Sequence, residues 1–160
     1  MRIFVPFLTL LLFSCGGPAS LIVPAQTALP TKAQSIETSA ATRGVTPAEF
    51  SAIDEGFGKA TPPEELWNSP ELREKAAIQW ASLCASCHGV EGKLKNVPAF
   101  DPSPRAFGGM GMSMGFLMGG NKMRAKVFQV IQEGRNEMPR FGERLTNQEI
   151  WGIVYFLEHL

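Results

Sequence analysis

The sequence Cys84-Ala85-Ser86-Cys87-His88 decides how the rest of this 160-residue chain is interpreted. Two thiols three positions apart can each add across one vinyl group of a single porphyrin, and the histidine directly after them can bind the iron from the same side. The motif therefore predicts one covalently attached haem c, with Cys84 and Cys87 as attachment points and His88 as an axial iron ligand.

A C-x-x-C pair also occurs in zinc sites and in thioredoxin-type redox centres. A zinc site would need two further ligands, and the other cysteine and histidine, Cys15 and His159, stand near opposite ends of the chain. A thioredoxin motif would follow a strand, but no alternating apolar pattern precedes Cys84. The histidine next to the second thiol favours haem over both alternatives.

The charge composition excludes strongly charged partners. Fifteen Lys and Arg residues balance fifteen Asp and Glu residues, so no overall field indicates nucleic acid or an anionic membrane surface. The length allows one domain plus accessory sequence. A domain of about 100 residues buries only a modest core, to which a haem would add a large apolar surface.

The first fourteen residues have the pattern of an export signal, with a charge at Arg2 and an apolar run up to Phe13. Residues 12–16, Leu-Phe-Ser-Cys-Gly, resemble the lipobox of bacterial lipoproteins, in which the chain is cut before the cysteine and the thiol is acylated. We therefore expect a lipoprotein signal peptide over residues 1–14, lipidation at Cys15 and a membrane-anchored protein on the periplasmic or cell-surface side. An ordinary signal peptide, cut later near Ala25, is the alternative.

Residues 15–60 are rich in Ala, Pro, Ser and Thr and show no sustained apolar periodicity, which predicts a flexible, disordered linker. Inside this segment, Thr46 as a cap and Pro47 at the first helical position indicate a short helix that reaches Ile53. The globular domain is then expected over residues 61–160.

Three helical segments are predicted in the domain. The first is capped by Ser69 and ends at Cys84. The second runs from about Asn121 to Glu133, ahead of Gly134, and the third follows the capping sequence of residues 146–149. Their apolar faces are Leu72, Ala76, Trp80 and Leu83; Met123, Val127, Val130 and Ile131; and Ile150, Ile153, Val154 and Leu157.

This order of elements resembles the class I cytochrome c family over about residues 64 to 160. The resemblance implies an all-α fold around one covalently attached haem, in which the first and last helices cross in close contact. In that family the crossing uses a small residue and an aromatic on the first helix, which Ala76 and Trp80 match. The partners on the last helix would be Ile153 and Phe156.

The resemblance also implies the second iron ligand. Met138-Pro139 lies in a segment similar to the loop that supplies an axial methionine ahead of the terminal helix in the family, so Met138 is the expected ligand. A thioether favours ferrous iron, and His/Met ligation leaves no open coordination site. His159 could in principle form a bis-histidine site instead. The remaining methionines are more typical of flexible packing: Met110, Met112, Met114, Met118 and Met123.

The stretch between the haem motif and the middle helix contains two further features. An arginine in this region of related domains binds a haem propionate beside an aromatic side chain, and Arg105 and Phe107 match that pattern. Residues 108–120, rich in Met and Gly, depart from a minimal class I domain. They are expected to form an adaptable apolar surface against the haem or a partner, with cuprous ion binding by thioethers as the alternative.

These features predict a membrane-tethered monohaem c-type cytochrome, not itself an enzyme, that transfers single electrons between redox proteins of a respiratory or photosynthetic chain. The alternative is a fixed cytochrome c subunit of a membrane quinol-oxidising complex of the alternative complex III type. A haem-based sensor or enzyme, in which a small molecule displaces the methionine ligand, is the third possibility.

Overall fold

The computed structural model describes residues 29–58 and 68–160, which are helical and contain no β-strand. The predicted all-α fold is confirmed. A π-helical turn, Trp80–Cys84, follows the helix that ends at Gln79, and a 3-10 turn, Phe141–Glu143, precedes the last helix. The helices are α1 Lys32–Arg43, α2 Pro47–Gly56, α3 Pro70–Gln79, α4 Ala85–His88, α5 Met110–Glu133 and α6 Asn147–Glu158. Within the described ranges, none of them combines the length and hydrophobicity that crossing a bilayer would require.

The predicted caps of α3 and α6 are present. The Ser69 hydroxyl accepts a hydrogen bond from the backbone N–H of Leu72 at 3.3 Å. At α6, the Thr146 hydroxyl accepts from the N–H of Glu149, whose carboxylate accepts from the N–H of Thr146 at 2.8 Å. Because the first N–H groups of a helix lack partners inside it, these side chains fix where each helix begins.

The core is built on the crossing of α3 and α6. Ala76, Trp80 and Ile153 are each at most 2% exposed, and the ring of Phe156 lies 5.8 Å from that of Trp80. The packing expected from the family resemblance is therefore confirmed. Gly152 allows the close approach, since a β-carbon there would lie 2.9 Å from Cγ of Leu72.

The middle helix begins earlier than predicted. Residues 121–133 are helical as expected, but α5 starts at Met110 and bends at Gly120, whose φ and ψ are 50° and −135°. The sequence predicted an adaptable apolar surface for residues 108–120, with the helix starting only at about Asn121. Methionine and leucine are good helix formers, however, and Met112 and Phe116, one turn apart, are both buried in the core.

The structure also corrects the extent of the predicted linker. Residues 31–58 form α1 and α2, and both pack on the rest of the chain. Capping boxes begin them, Thr31 with Gln34 and Thr46 with Glu49, so the short helix predicted after Thr46 is confirmed. The predicted signal peptide, Cys15 and the remaining linker residues lie outside the described residues.

Candidate functional site

The haem motif begins where the α-helical hydrogen-bond pattern of α3 changes to a π-helical one. The N–H of Ala85 bonds to the carbonyl of Trp80, five residues earlier, so Cys84 ends a π-helical turn and Cys87 and His88 follow on α4. Single π turns inside α-helices are frequent at functional sites. Gly89 ends the motif with φ at 80°, and a β-carbon there would lie 1.9 Å from the carbonyl oxygen of Lys93. The chain therefore turns sharply away directly after His88.

Both motif cysteines are free thiols, with Cys84 buried and Cys87 half-buried. Burial, and to a lesser degree the neighbouring Cys87, raises the pKa of the Cys84 thiol to about 12. Redox-active and metal-binding cysteines act as thiolates and have lowered pKa values, so this environment does not favour the thioredoxin or zinc alternatives. Among residues 29–58 and 68–160, no three His, Cys, Asp or Glu side chains gather to hold a metal ion.

The imidazole of His88 is held from three sides. Its Nδ1 lies 2.9 Å from the backbone oxygen of Arg105, and its ring centroid lies 5.9 Å from that of Trp80 and 5.3 Å from that of Phe107. Because a carbonyl only accepts, Nδ1 carries a proton, which leaves Nε2 as the ring nitrogen that can bind a metal. Second partners of this kind fix the tautomer and orientation of metal-binding histidines.

The donor set therefore fits haem c. The thiols of Cys84 and Cys87 lie at the junction of the π-helical turn and α4, and His88, whose Nδ1 bonds to the Arg105 carbonyl, follows directly. Attachment of haem c requires these two thiols and this imidazole. In the described part of the chain, no group of three or more His, Cys, Asp or Glu side chains could bind a metal ion instead.

Trp80 also holds the loop that follows the motif in place. Its indole Nε1 donates a hydrogen bond to the carbonyl of Val90 at 2.9 Å, and its ring meets Phe107 edge-on at 6.0 Å. The same residue thus takes part in the helix crossing and in the wall beside His88. The sequence predicted only the first of these roles.

Arg105 reaches the site through its backbone. Its carbonyl bonds to His88, whereas its side-chain Nε donates to the sulfur of Met112 at 3.4 Å. The predicted propionate contact of Arg105 stays a prediction, and Phe107 lies beside His88 as the resemblance implied. The sequence did not predict that the Arg105 carbonyl bonds to His88, because every residue has a backbone carbonyl and the residue type does not show which one will act as an acceptor.

Met138 is half-buried and packs against the same hydrophobic core as Cys84 and Trp80. A tight turn presents it: Met138 and Arg135 exchange backbone hydrogen bonds of 2.9 and 3.1 Å, and Asn136 adopts a positive φ of 52°. Gly134 is required here, because its φ is 72° and a β-carbon would lie 2.5 Å from the carbonyl oxygen of Met138. Ligation of iron by Met138 stays a prediction.

The other candidate ligands differ from one another in exposure. His159 is exposed at the end of α6, where its Nδ1 donates to the carbonyl of Tyr155 at 2.8 Å and its ring stacks on the Tyr155 ring. Met112 is buried and Met123 partly buried against the core. Three other methionines are exposed on α5: Met110, Met114 and Met118.

The family described as "Cytochrome C oxidase, cbb3-type, subunit III" matches residues 70–157. The matched segment is more than half of the chain, and it runs from the first residue of α3 almost to the end of α6. It includes the haem motif, Arg105 and Met138. No curated protein and no solved structure matches the chain.

Proposed function

The chain belongs to the family of cbb3-type cytochrome c oxidase subunit III, within the class I monohaem cytochromes c, and we propose that it is a membrane-tethered carrier of single electrons between redox proteins. Electron transfer is the function of this family's cytochrome c domain. The observation that carries the proposal is the orientation of His88, whose Nδ1 bonds to the Arg105 carbonyl between two aromatic rings.

Each residue of the site has a distinct role in this proposal. Cys84 and Cys87 would hold haem c covalently, and His88 and Met138 would bind its iron. When bound, haem c supplies a one-electron Fe(III)/Fe(II) couple. The Arg105 carbonyl keeps His88 in one tautomer, and the rings of Trp80 and Phe107 hold its imidazole in one orientation. If both His88 and Met138 bind the iron, no position is left for a small molecule, which would favour a carrier over a sensor or an enzyme.

The exposed face of α5 supports transfer between proteins. Met110, Met114, Leu117 and Met118 recur at helical spacing and are 48–86% exposed. No charged residue occurs from Ala106 to Asn121. Interface cores are enriched in methionine and depleted in charge, and methionine surfaces adapt to several partners. We assign this Met face as the docking surface for a redox partner protein.

Tethering rests on the sequence pattern around Cys15. The proposal places the chain outside the cytoplasm, where c-type haem is attached, and anchors it by acylation of Cys15. Two or three acyl chains hold a protein on a membrane far more firmly than one.

A permanent place in a membrane complex is the second candidate. It is favoured by the family, which is described as a subunit of an oxidase, and by the exposure of the apolar side chains on the Met face. The complex would then contain the electron donor or acceptor, and a quinol-oxidising assembly remains the specific form that the sequence suggests.

Expression in a bacterium that matures c-type cytochromes tests the main proposal. We expect the chain to retain haem staining on a denaturing gel, and Cys84→Ala and Cys87→Ala to reduce or abolish it. Cys15→Ser should keep the haem but release the protein from the membrane fraction. If the Cys15→Ser variant stays on the membrane to the same extent, the lipid anchor is wrong.

Native gel electrophoresis of gently solubilised membranes separates the two candidates. Haem-stained chain that migrates near its own mass supports a tethered carrier. Migration inside a large assembly supports a fixed subunit, with its redox partner among the co-migrating proteins.

A further inference from the structure

We propose that residues 31–58, here called the N-terminal strap, position Met138 by clamping the loop that carries it. The Met138 loop, residues 134–146, joins α5 to α6. The strap precedes the segment that the family matches, yet it bonds to the middle and to the end of this loop. The inference rests on the proposed ligation of iron by Met138.

The first contact of the strap is with the middle of the loop. Nζ of Lys32 donates to the carbonyl of Gly142 at 2.7 Å, four residues after Met138. On its other side Gly142 packs on α5, where a β-carbon would lie 2.8 Å from Cγ of Gln132. The part of the loop that follows Met138 is therefore held between Lys32 and Gln132.

The second contact is at the end of the loop. The carboxylate of Asp54, a residue only 4% exposed, accepts hydrogen bonds from the N–H groups of Asn147 and Gln148 at 2.9 and 3.1 Å. These are the first two N–H groups of α6, which have no partner inside the helix. A negative charge at a helix N-terminus is also favourable. The strap thus completes the cap of α6 where the loop ends.

A third set of bonds links this junction to the start of the loop. The side-chain amide of Asn147 donates to the carbonyl of Asp54 at 2.7 Å and accepts from Nε2 of Gln132 at 2.9 Å. Gln132 stands two residues before Gly134, where the loop begins. The indole of Trp151 holds the end of the strap by donating to the carbonyl of Phe57 at 2.8 Å. Both ends of the loop are therefore connected to the strap through buried or half-buried polar groups.

Release of Met138 from iron requires the loop to move, and the loop cannot move far without breaking its bonds to the strap. A hydrogen bond to a charged group in a partly buried setting shifts such an equilibrium by about tenfold or more when it is removed. The strap is accordingly expected to lower the fraction of molecules in which the loop is open.

Imidazole binding to the ferric holoprotein measures this fraction, because imidazole occupies the iron only after Met138 has left. Its apparent dissociation constant falls as the open fraction rises. We expect Lys32→Met and Asp54→Asn to tighten apparent imidazole binding by about tenfold, with unchanged haem content. The sulfur-to-iron charge-transfer band should also be lost at a lower denaturant concentration than in the wild type.

Two variants serve as matched controls. Glu55→Gln changes the exposed carboxylate beside Asp54 and should leave imidazole binding unchanged. Arg124→Gln breaks the ion pair with Glu158, at the C-terminal end of α6. It tests whether a general loss of stability alone opens the loop, and we expect it to leave imidazole binding unchanged.

The Met138→Ala background distinguishes positioning from general destabilisation. Imidazole no longer competes with a thioether there, so Lys32→Met should have no further effect on its affinity. If Met138→Ala leaves the charge-transfer band intact, the ligand assignment fails. If the band depends on Met138 but Lys32→Met and Asp54→Asn bind imidazole as the wild type does, the strap inference is overturned. If Asp54→Asn yields no holoprotein, the more exposed Lys32→Met variant decides alone.

Discussion

At the scale of single residues, Trp80 joins the helix crossing to the haem motif. Its ring is 2% exposed between α3 and α6, it lies beside the imidazole of His88, and its N–H bonds to the Val90 carbonyl. A phenylalanine at this position would keep most of the packing but would leave the Val90 carbonyl without this donor. The two contributions can therefore be separated by substitution.

Trp80→Phe should lower the free energy of unfolding by about 0.5–1.5 kcal/mol, the net contribution of the hydrogen bond to the Val90 carbonyl. Trp80→Ala should lower it by about 3–5 kcal/mol, because a large cavity forms in the core as well. Denaturant unfolding of the holoproteins, followed by far-ultraviolet circular dichroism, gives both values. Equal losses in the two variants would show that the ring volume contributes little.

At the scale of elements, the crossing of α3 and α6 depends on a glycine. Gly152→Ala would place a methyl group 2.9 Å from Cγ of Leu72 and 3.2 Å from its Cδ1. We expect a loss of about 1–3 kcal/mol from overpacking, although alanine is the better helix former. Gly111→Ala is the control, since a β-carbon there meets nothing within 4 Å, and it should cause no loss. Thermal unfolding of the two variants makes the comparison, and a neutral Gly152→Ala would mean that the helices can separate without cost.

The junction of the strap with α6 should give stability an unusual pH dependence. Burial raises the pKa of Asp54 above its ordinary value of 3.8, although the N–H groups of Asn147 and Gln148 and the charge of Lys32 lower it in part, and Glu149 raises it further. The folded state therefore binds this proton more tightly than the unfolded state does. The contribution of Asp54 to stability consequently falls as pH rises from 3.8 through the raised pKa.

The comparison of the wild type with Asp54→Asn isolates this effect, because asparagine does not titrate. The difference in unfolding free energy, wild type minus variant, should decrease between pH 4 and pH 7 in urea titrations. An increase over that range would show that the helix N-terminus and Lys32 outweigh the cost of burial.

The elements also show what the sequence could and could not predict. The helix before Cys84 and the capping box at Thr146 follow from local patterns. The strap could not be recognised from the sequence. Only a few of its side chains on α1 and α2 are buried: Ser35, Ala40, Phe50 and Asp54. It docks largely through polar groups, and a search for an apolar stripe does not detect these. The sequence Thr31-Lys32-Ala33-Gln34 was the available signal, since it is a capping box like the one at Thr46.

At the scale of the molecule, the Met face is expected to contribute to the binding of a partner protein and not to the stability of the fold. Leu117 and Met118 are 78% and 82% exposed, so Leu117→Glu and Met118→Glu should leave haem content and stability nearly unchanged. We expect each to slow electron transfer in membranes by about tenfold, because a buried charge at an interface core costs binding energy. Stopped-flow oxidation of the membrane-bound cytochrome measures this rate. Ile78→Glu, at an exposed apolar position on α3, is the control, and an equal effect from it would exclude the Met face as the docking surface.

The bond between Lys32 and Gly142 also fixes where the N-terminal chain leaves the domain, which is beside the Met138 loop. For a protein held by lipid at Cys15, as proposed above, sixteen peptide units then separate the anchor from Thr31. At full extension these span at most about 55 Å, against roughly 150 Å for the longer linker that the sequence suggested. A short tether raises the effective concentration of the domain for partners in the same membrane. It would also keep the surface around Gly142 nearer to the anchor than the opposite side of the domain.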